Sequence, residues 1–218
     1  LVKTSIAEAE SVQIHTFLRE GEVDENIFEL SEEKGIDLIV MGTFGINGLK
    51  DRIWGSKTAG LTGKTNVPVM VIPYEYNWKV PEKILLATSF FEEDRNVLEP
   101  ITGLTDAFKA TLHTIIFTDE DTADAALFLE RGMNMADYER KLKKLLNTES
   151  IITGHLSGSK FEDTLQDYIK NNDIDILTMI SYQRSLWDRI FHPSVTRRMS
   201  YHTTIPLLVI PANKKGEE

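Results

Sequence analysis

Apolar positions along the chain gather into short runs, separated by longer amphipathic stretches. The runs at 36–41, 67–72, 83–88, 174–180 and 207–210 are nearly unbroken. Runs of that length fit strands buried on both faces, as in a parallel sheet. Thr111–Phe117 and Ile151–His155 read as further strands, and Val12–Leu18 alternates and is rich in β-formers. Between the strands the period changes to that of a helix. Asp24–Lys34 places Ile27, Phe28 and Leu30 on one face and is closed by Gly35. Further helices are expected at 56–66, Arg95–Lys109, Lys160–Asn171 and 194–202, with one or two over 125–147 and the tail of another over 1–10. Pro100 marks a first turn or a kink in the Arg95–Lys109 helix. The acidic run Asp119–Asp124 reads as a solvated loop or a helix start. Alternating strands and helices predict an α/β fold, an open parallel five-stranded sheet with helices on both faces.

The pattern repeats. Shifted by 138 residues, Ile14 meets Ile152, Leu18 meets Leu156, Ile36-Asp37 meets Ile174-Asp175, and Met41 meets Met179. Ser56 then meets Ser194, Thr58 meets Thr196, Pro68 meets Pro206, and Val71-Ile72-Pro73 meets Val209-Ile210-Pro211. Two tandem copies are expected: 1–76, a linker over 77–81, 82–213, and a tail over 214–218. The second holds a full alternation of five strands and four helices. The first has no counterpart of Lys83–Thr88, of the helix after it, or of Thr111–Phe117. A segment of roughly 55 residues upstream, or another chain, is expected to supply them. Leu1 in place of Met agrees with a chain that begins inside a longer parent.

Composition narrows the field. With 41% hydrophobic and 27% charged residues the 218-residue chain reads as globular. A net charge of −10 and the lack of a basic stripe speak against nucleic acid as a partner. The absence of cysteine removes disulfides, thiolate metal sites and Cys nucleophiles. No apolar run approaches the ~20 residues that would cross a bilayer, so no membrane partner is expected.

Chemistry concentrates in Met41–Ser56, MGTFGINGLKDRIWGS. A buried strand runs here into a loop punctuated by Gly42, Gly45 and Gly55, and Ser56 caps the helix that follows. Glycines let the backbone approach a ligand, and a helix N-terminus offers free N–H groups to a phosphate. In open α/β sheets, ligands sit beyond the carboxyl ends of the strands, where this loop lies. Gly-x2-Gly-x9-Gly-Ser resembles the nucleotide-binding signature of the universal stress protein family. So do Asp37–Thr43 before it and Val67–Pro73 after it. It is neither a Walker loop nor Gly-x-Gly-x-x-Gly. The resemblance, over nearly the whole chain, implies a Rossmann-like, adenine nucleotide alpha hydrolase-like fold and a cytoplasmic protein. It also implies an ATP site in the first copy with Mg²⁺ as a companion ion. Gly42 and Gly45 would face ribose and phosphates, Gly55, Ser56 and Thr58 would hold phosphate oxygens, Met41 would wall the ribose or base, and Asn47 is a weaker candidate. The last strands, Val69–Ile72 and Leu207–Ile210, would pair within the chain or across a homodimer.

The second copy departs from the signature. Ile180, Gln183 and Pro193 replace the three glycines, and Ser89 stands where the family's strand-end Asp is expected. Proline has no N–H and a fixed φ, so this copy is not expected to take ATP in the usual way. Among the five histidines, His15, His113, His155, His192 and His202, none has metal-ligand spacing, and 155–159 reads as a turn. With no catalytic residue in evidence, the sequence leans away from an enzyme. Three functions stay open: an ATP-binding stress-response regulator acting on an unidentified protein partner, a nucleotide-independent interaction module, and a slow ATPase.

Overall fold

The unbroken apolar runs become the inner strands of one sheet. The computed structural model describes residues 13–42, 65–73, 76–182 and 204–212. Among these residues seven strands are formed: β1 (Ile39–Gly42), β2 (Val69–Ile72), β3 (Lys83–Thr88), β4 (Thr111–Asp119), β5 (Ile151–Gly158), β6 (Ile176–Ser181) and β7 (Leu207–Pro211). Four helices among the described residues accompany them: α1 (Val23–Lys34), α2 (Arg95–Phe108), α3 (Ala125–Leu146) and α4 (Phe161–Asn172). The sheet order is β1-β2-β7-β6-β3-β4-β5. Every neighbouring pair is parallel except β2 and β7, which run antiparallel with Val69 opposite Val209, Met70 opposite Leu208 and Val71 opposite Leu207. The expected last-strand pairing therefore occurs within the chain, and the five-stranded parallel sheet is extended to seven. Helices α1 and α4 lie 138 residues apart at both ends, and each closes on a left-handed residue, Gly35 or Asp173.

The strands alternate their side chains between two layers. Ile84, Leu86, Leu112, Ile116, Ile176, Leu208 and Ile210 pack with Leu98, Ile101, Tyr138 and Leu142 of α2 and α3. On the other face Leu85, Ala87, Ile115, Leu177 and Val209 pack around Leu165 of α4. Met70 of β2 joins the first layer, so that layer continues across the antiparallel seam. Ile39, Val69 and Val71 form a smaller cluster with Ile27 and Phe28 of α1.

One buried carboxylate ties the second copy together at the amino ends of its strands. Asp175, just before β6, has a side chain only 2% exposed. Its Oδ2 accepts from the amides of Glu82 (2.7 Å) and Lys83 (3.0 Å), and Oδ1 meets the Lys79 ammonium. Burial raises its pKa, but Lys79 and the two amides outweigh that and hold it below the usual carboxylate range. Asp37, the repeat counterpart before β1, is exposed.

Several expectations change. The strand expected over Val12–Leu18 is not formed: the described part, 13–18, belongs to no strand of the described sheet, and Leu18 is 100% exposed. Its repeat counterpart β5 is held by β4, and the described first copy has no equivalent of β4 to supply a ladder. The stretch 125–147 is a single helix, with the Asp124 carboxylate accepting from the Leu127 amide (2.8 Å) at its start. Pro100 lies well inside α2 rather than at its first turn. Residues 155–158 belong to β5 and are not a turn. The helices expected at 1–10 and 194–202, and 56–64 of the helix expected at 56–66, lie outside the described residues; Thr65 and Asn66 are not helical.

Candidate functional site

The carboxyl end of β1 is the described part of the candidate site. Met41 stands opposite Val71 and Gly42 opposite Ile72, so β2 fixes one side of the strand end. Met41 is half-buried against the small cluster with α1, and Gly42 is exposed. Gly42 is not in the left-handed region, and a Cβ built on it would meet no described atom within 4 Å. Neither backbone strain nor packing among the described residues requires a glycine there. On its other side β1 has no neighbour among the described residues. Gly45, Asn47, Gly55, Ser56 and Thr58, together with Pro193 and Gln183 of the second copy, lie outside the described residues.

The same place in the second copy is built differently. The counterpart of Gly42, Ile180, is buried in the core. Its topological switch point falls between β3 and β6, since the chain leaves β3 toward β4 and β5 and then returns to the other side for β6 and β7. A crevice beyond the carboxyl ends of such strands is where ligands bind in open α/β sheets. Here Phe90, just beyond β3, packs on Tyr182, just beyond β6, with ring centroids 5.2 Å apart. The connection after β3 is pinned to α3: the buried Tyr138 hydroxyl donates to the Glu92 carbonyl (3.0 Å), and its ring meets Phe91 at 5.0 Å. Burial pushes the Tyr138 phenol well above its ordinary range, so it stays a donor.

Arg131 of α3 completes the arrangement. Its Nη1 donates to the Phe117 carbonyl and the Thr118 hydroxyl (both 2.7 Å), and its Nη2 donates to the Ser89 carbonyl (2.6 Å). Thr118 Oγ1 is 2.8 Å from His155 Nε2 on β5, and the His155 ring packs on Phe128 at 4.9 Å. Burial first, and the Arg131 charge second, lower the His155 pKa. A neutral His155 with Nε2 as acceptor completes a relay from guanidinium to hydroxyl to imidazole. Sequence reasoning missed Arg131, Phe90 and Tyr182, because the contacts that matter join residues far apart in the chain and no spacing announces them. Among the described residues no group of three or more His, Asp or Glu side chains could hold a metal.

Strand order, the switch point and the helices packed on both faces together define an open α/β protein with a mostly parallel sheet. The profile of the Universal stress protein family matches residues 2–73 and again 81–211, and the chain belongs to that family. Universal stress protein MJ0531 of Methanocaldococcus jannaschii is 40% identical over 67 residues, which are 31% of this chain and 39% of that protein. Universal stress protein YxiE of Bacillus subtilis is 35% identical over 66 residues, 30% of this chain and 45% of that one. The chain thus spans less than half the length of these curated relatives. The crystal structure of a universal stress protein from Archaeoglobus fulgidus matches with a TM-score of 0.60 at 18% identity, over 88% of this chain and 66% of that one. No helix among the described residues is long and apolar enough to cross a membrane.

Proposed function

We propose that this chain is a stress-response regulator whose first copy, residues 1–76, binds ATP with Mg²⁺. In this reading the second copy, residues 82–213, is its structural partner. The observation that carries the reading is the contrast between the two strand ends. At Gly42 no described atom lies within 4 Å of where a Cβ would stand, and the sequence leads on to Gly45, Gly55 and Ser56. At Ile180 the matching strand end is buried, and Phe90 packs on Tyr182 beside it. Met41 would wall the nucleoside, Gly42 and Gly45 would admit ribose and phosphates, and Gly55, Ser56 and Thr58 would hold phosphate oxygens. Asn47 would add a polar contact. Nucleotide occupancy would shift the affinity for a protein partner in the cytoplasm.

Equilibrium ATP binding with Mg²⁺ tests this, measured on the chain and on the longer product wherever the gene encodes residues upstream of Leu1. Saturable binding that Gly55→Pro abolishes and Ser56→Ala weakens is the expected outcome. No binding at millimolar ATP by either product would overturn the reading. A second reading is favoured by the side of β1 that has no neighbour among the described residues, which suits an interaction module that takes no nucleotide. ATP that leaves the melting temperature unmoved would support it, because a ligand of the folded state must stabilise that state.

A further inference from the structure

We propose that Arg131 is a built-in ligand of the second copy: its guanidinium fills the crevice at the carboxyl ends of β3 and β4 and closes this copy to nucleotide. The inference rests on the reading of the second copy as the structural one, but on residues outside the signature loop. Three acceptors converge there: the Ser89 carbonyl after β3, and the Phe117 carbonyl and Thr118 hydroxyl near the end of β4. Ser89 directly follows β3, Phe117 lies in its neighbour β4, and Thr118 is only 1% exposed. A small planar molecule with N–H groups on its edge would satisfy the same acceptors, and the edge amino group of a nucleobase belongs to that chemistry.

The guanidinium also suits a permanent occupant. It cannot be deprotonated in a protein, and its planar fork reaches two carbonyls at once, which a lysine ammonium on a flexible stem does not. Thr118 passes the contact on to His155, so the occupant braces the ends of three adjacent strands, β3, β4 and β5. Beside it, Phe90 and Tyr182 cover the switch point between β3 and β6. The crevice is therefore occupied from within, and the second copy folds without the ligand that a vacant site would need.

The test compares the full chain with Arg131→Ala and Arg131→Lys, using Arg140→Ala, an exposed arginine of the same helix, as control. Arg131→Ala is expected to lower Tm by about 5 °C, from the loss of several charge-assisted hydrogen bonds in a chain of this size. Arg131→Lys is expected to recover less than half of that, and the control to stay within a degree or so of the parent. Amide hydrogen exchange should accelerate at 88–90 and 117–119 and not in β2. Millimolar methylguanidinium should raise the Tm of Arg131→Ala and slow that exchange, while leaving the parent unimproved. If Arg131→Ala does not fold, Arg131→Lys carries the same exchange and rescue measurements. Unchanged exchange at those strand ends, or the absence of rescue, would overturn the proposal. Because none of these readouts uses ATP, failure of nucleotide binding at the first copy leaves them standing.

Discussion

One aspartate occurs twice, with opposite consequences. Asp175 is buried against two amides and a lysine, and Asp37 is exposed at the same point of the repeat. Asp175→Ala leaves two part-buried amides without this acceptor and should cost about 1–3 kcal/mol. The Lys79 side chain is largely solvated, so its lost pairing adds little. Asp37→Ala should stay within about 0.5 kcal/mol of the parent. Urea denaturation of the two variants checks the contrast; equal costs would show that Asp37 is held as Asp175 is. Two histidines give a pH dependence. Burial, then the nearby Lys83 charge, lowers the pKa of His113, whose Nδ1 lies 3.0 Å from the Tyr168 hydroxyl, and His155 is lowered as well. With folded values below the unfolded value near 6.5, the unfolded chain takes up protons first. Stability is then full above about pH 6.5 and falls as the pH drops toward the folded pKa values. Melting scans from pH 8 to 5 should show that decline, reduced by His113→Gln.

Elements were legible in proportion to how far each carries its own reason to form. The strands β3, β6 and β7 stand where unbroken apolar runs put them, and α1 and α4 where amphipathic spacing and a left-handed C-terminal residue put them. A strand needs a neighbour as well as a pattern. Ile14–Leu18 and Ile152–Leu156 share the same pattern, yet only the second is a strand, because only it has β4 beside it. That neighbour lies outside the window in which periodicity is read. The site divides the same way. Glycine spacing singles out Gly42 as a candidate, since such spacing is local. The Arg131 contacts span 13 to 42 residues of sequence, and a lone arginine in a helix carries no mark of what it will meet.

Among the described residues, three residue pairs join β2 to β7 across the seam. Met70 faces Leu208 across the β2–β7 seam and is buried in the layer that also holds Leu86 and Leu98. Met70→Ala should cost about 2–5 kcal/mol and should lower the stability of both copies together, with circular dichroism and tryptophan fluorescence reporting one coincident transition in urea. Two separated transitions would show that the seam does not couple them. The seam also sets direction. Because β2 opposes β7, the strand ends bearing Gly42 point to one rim of the sheet, and those bearing Ser89 and Tyr182 point to the other. The chain can pass from the end of β2 to the start of β3 along a single rim, without crossing a face, and Lys79 lies on that short path. A body gripping the far rim leaves the near one free, so the protein has the geometry of a double-ended coupling, able to be held at one end while it is read at the other.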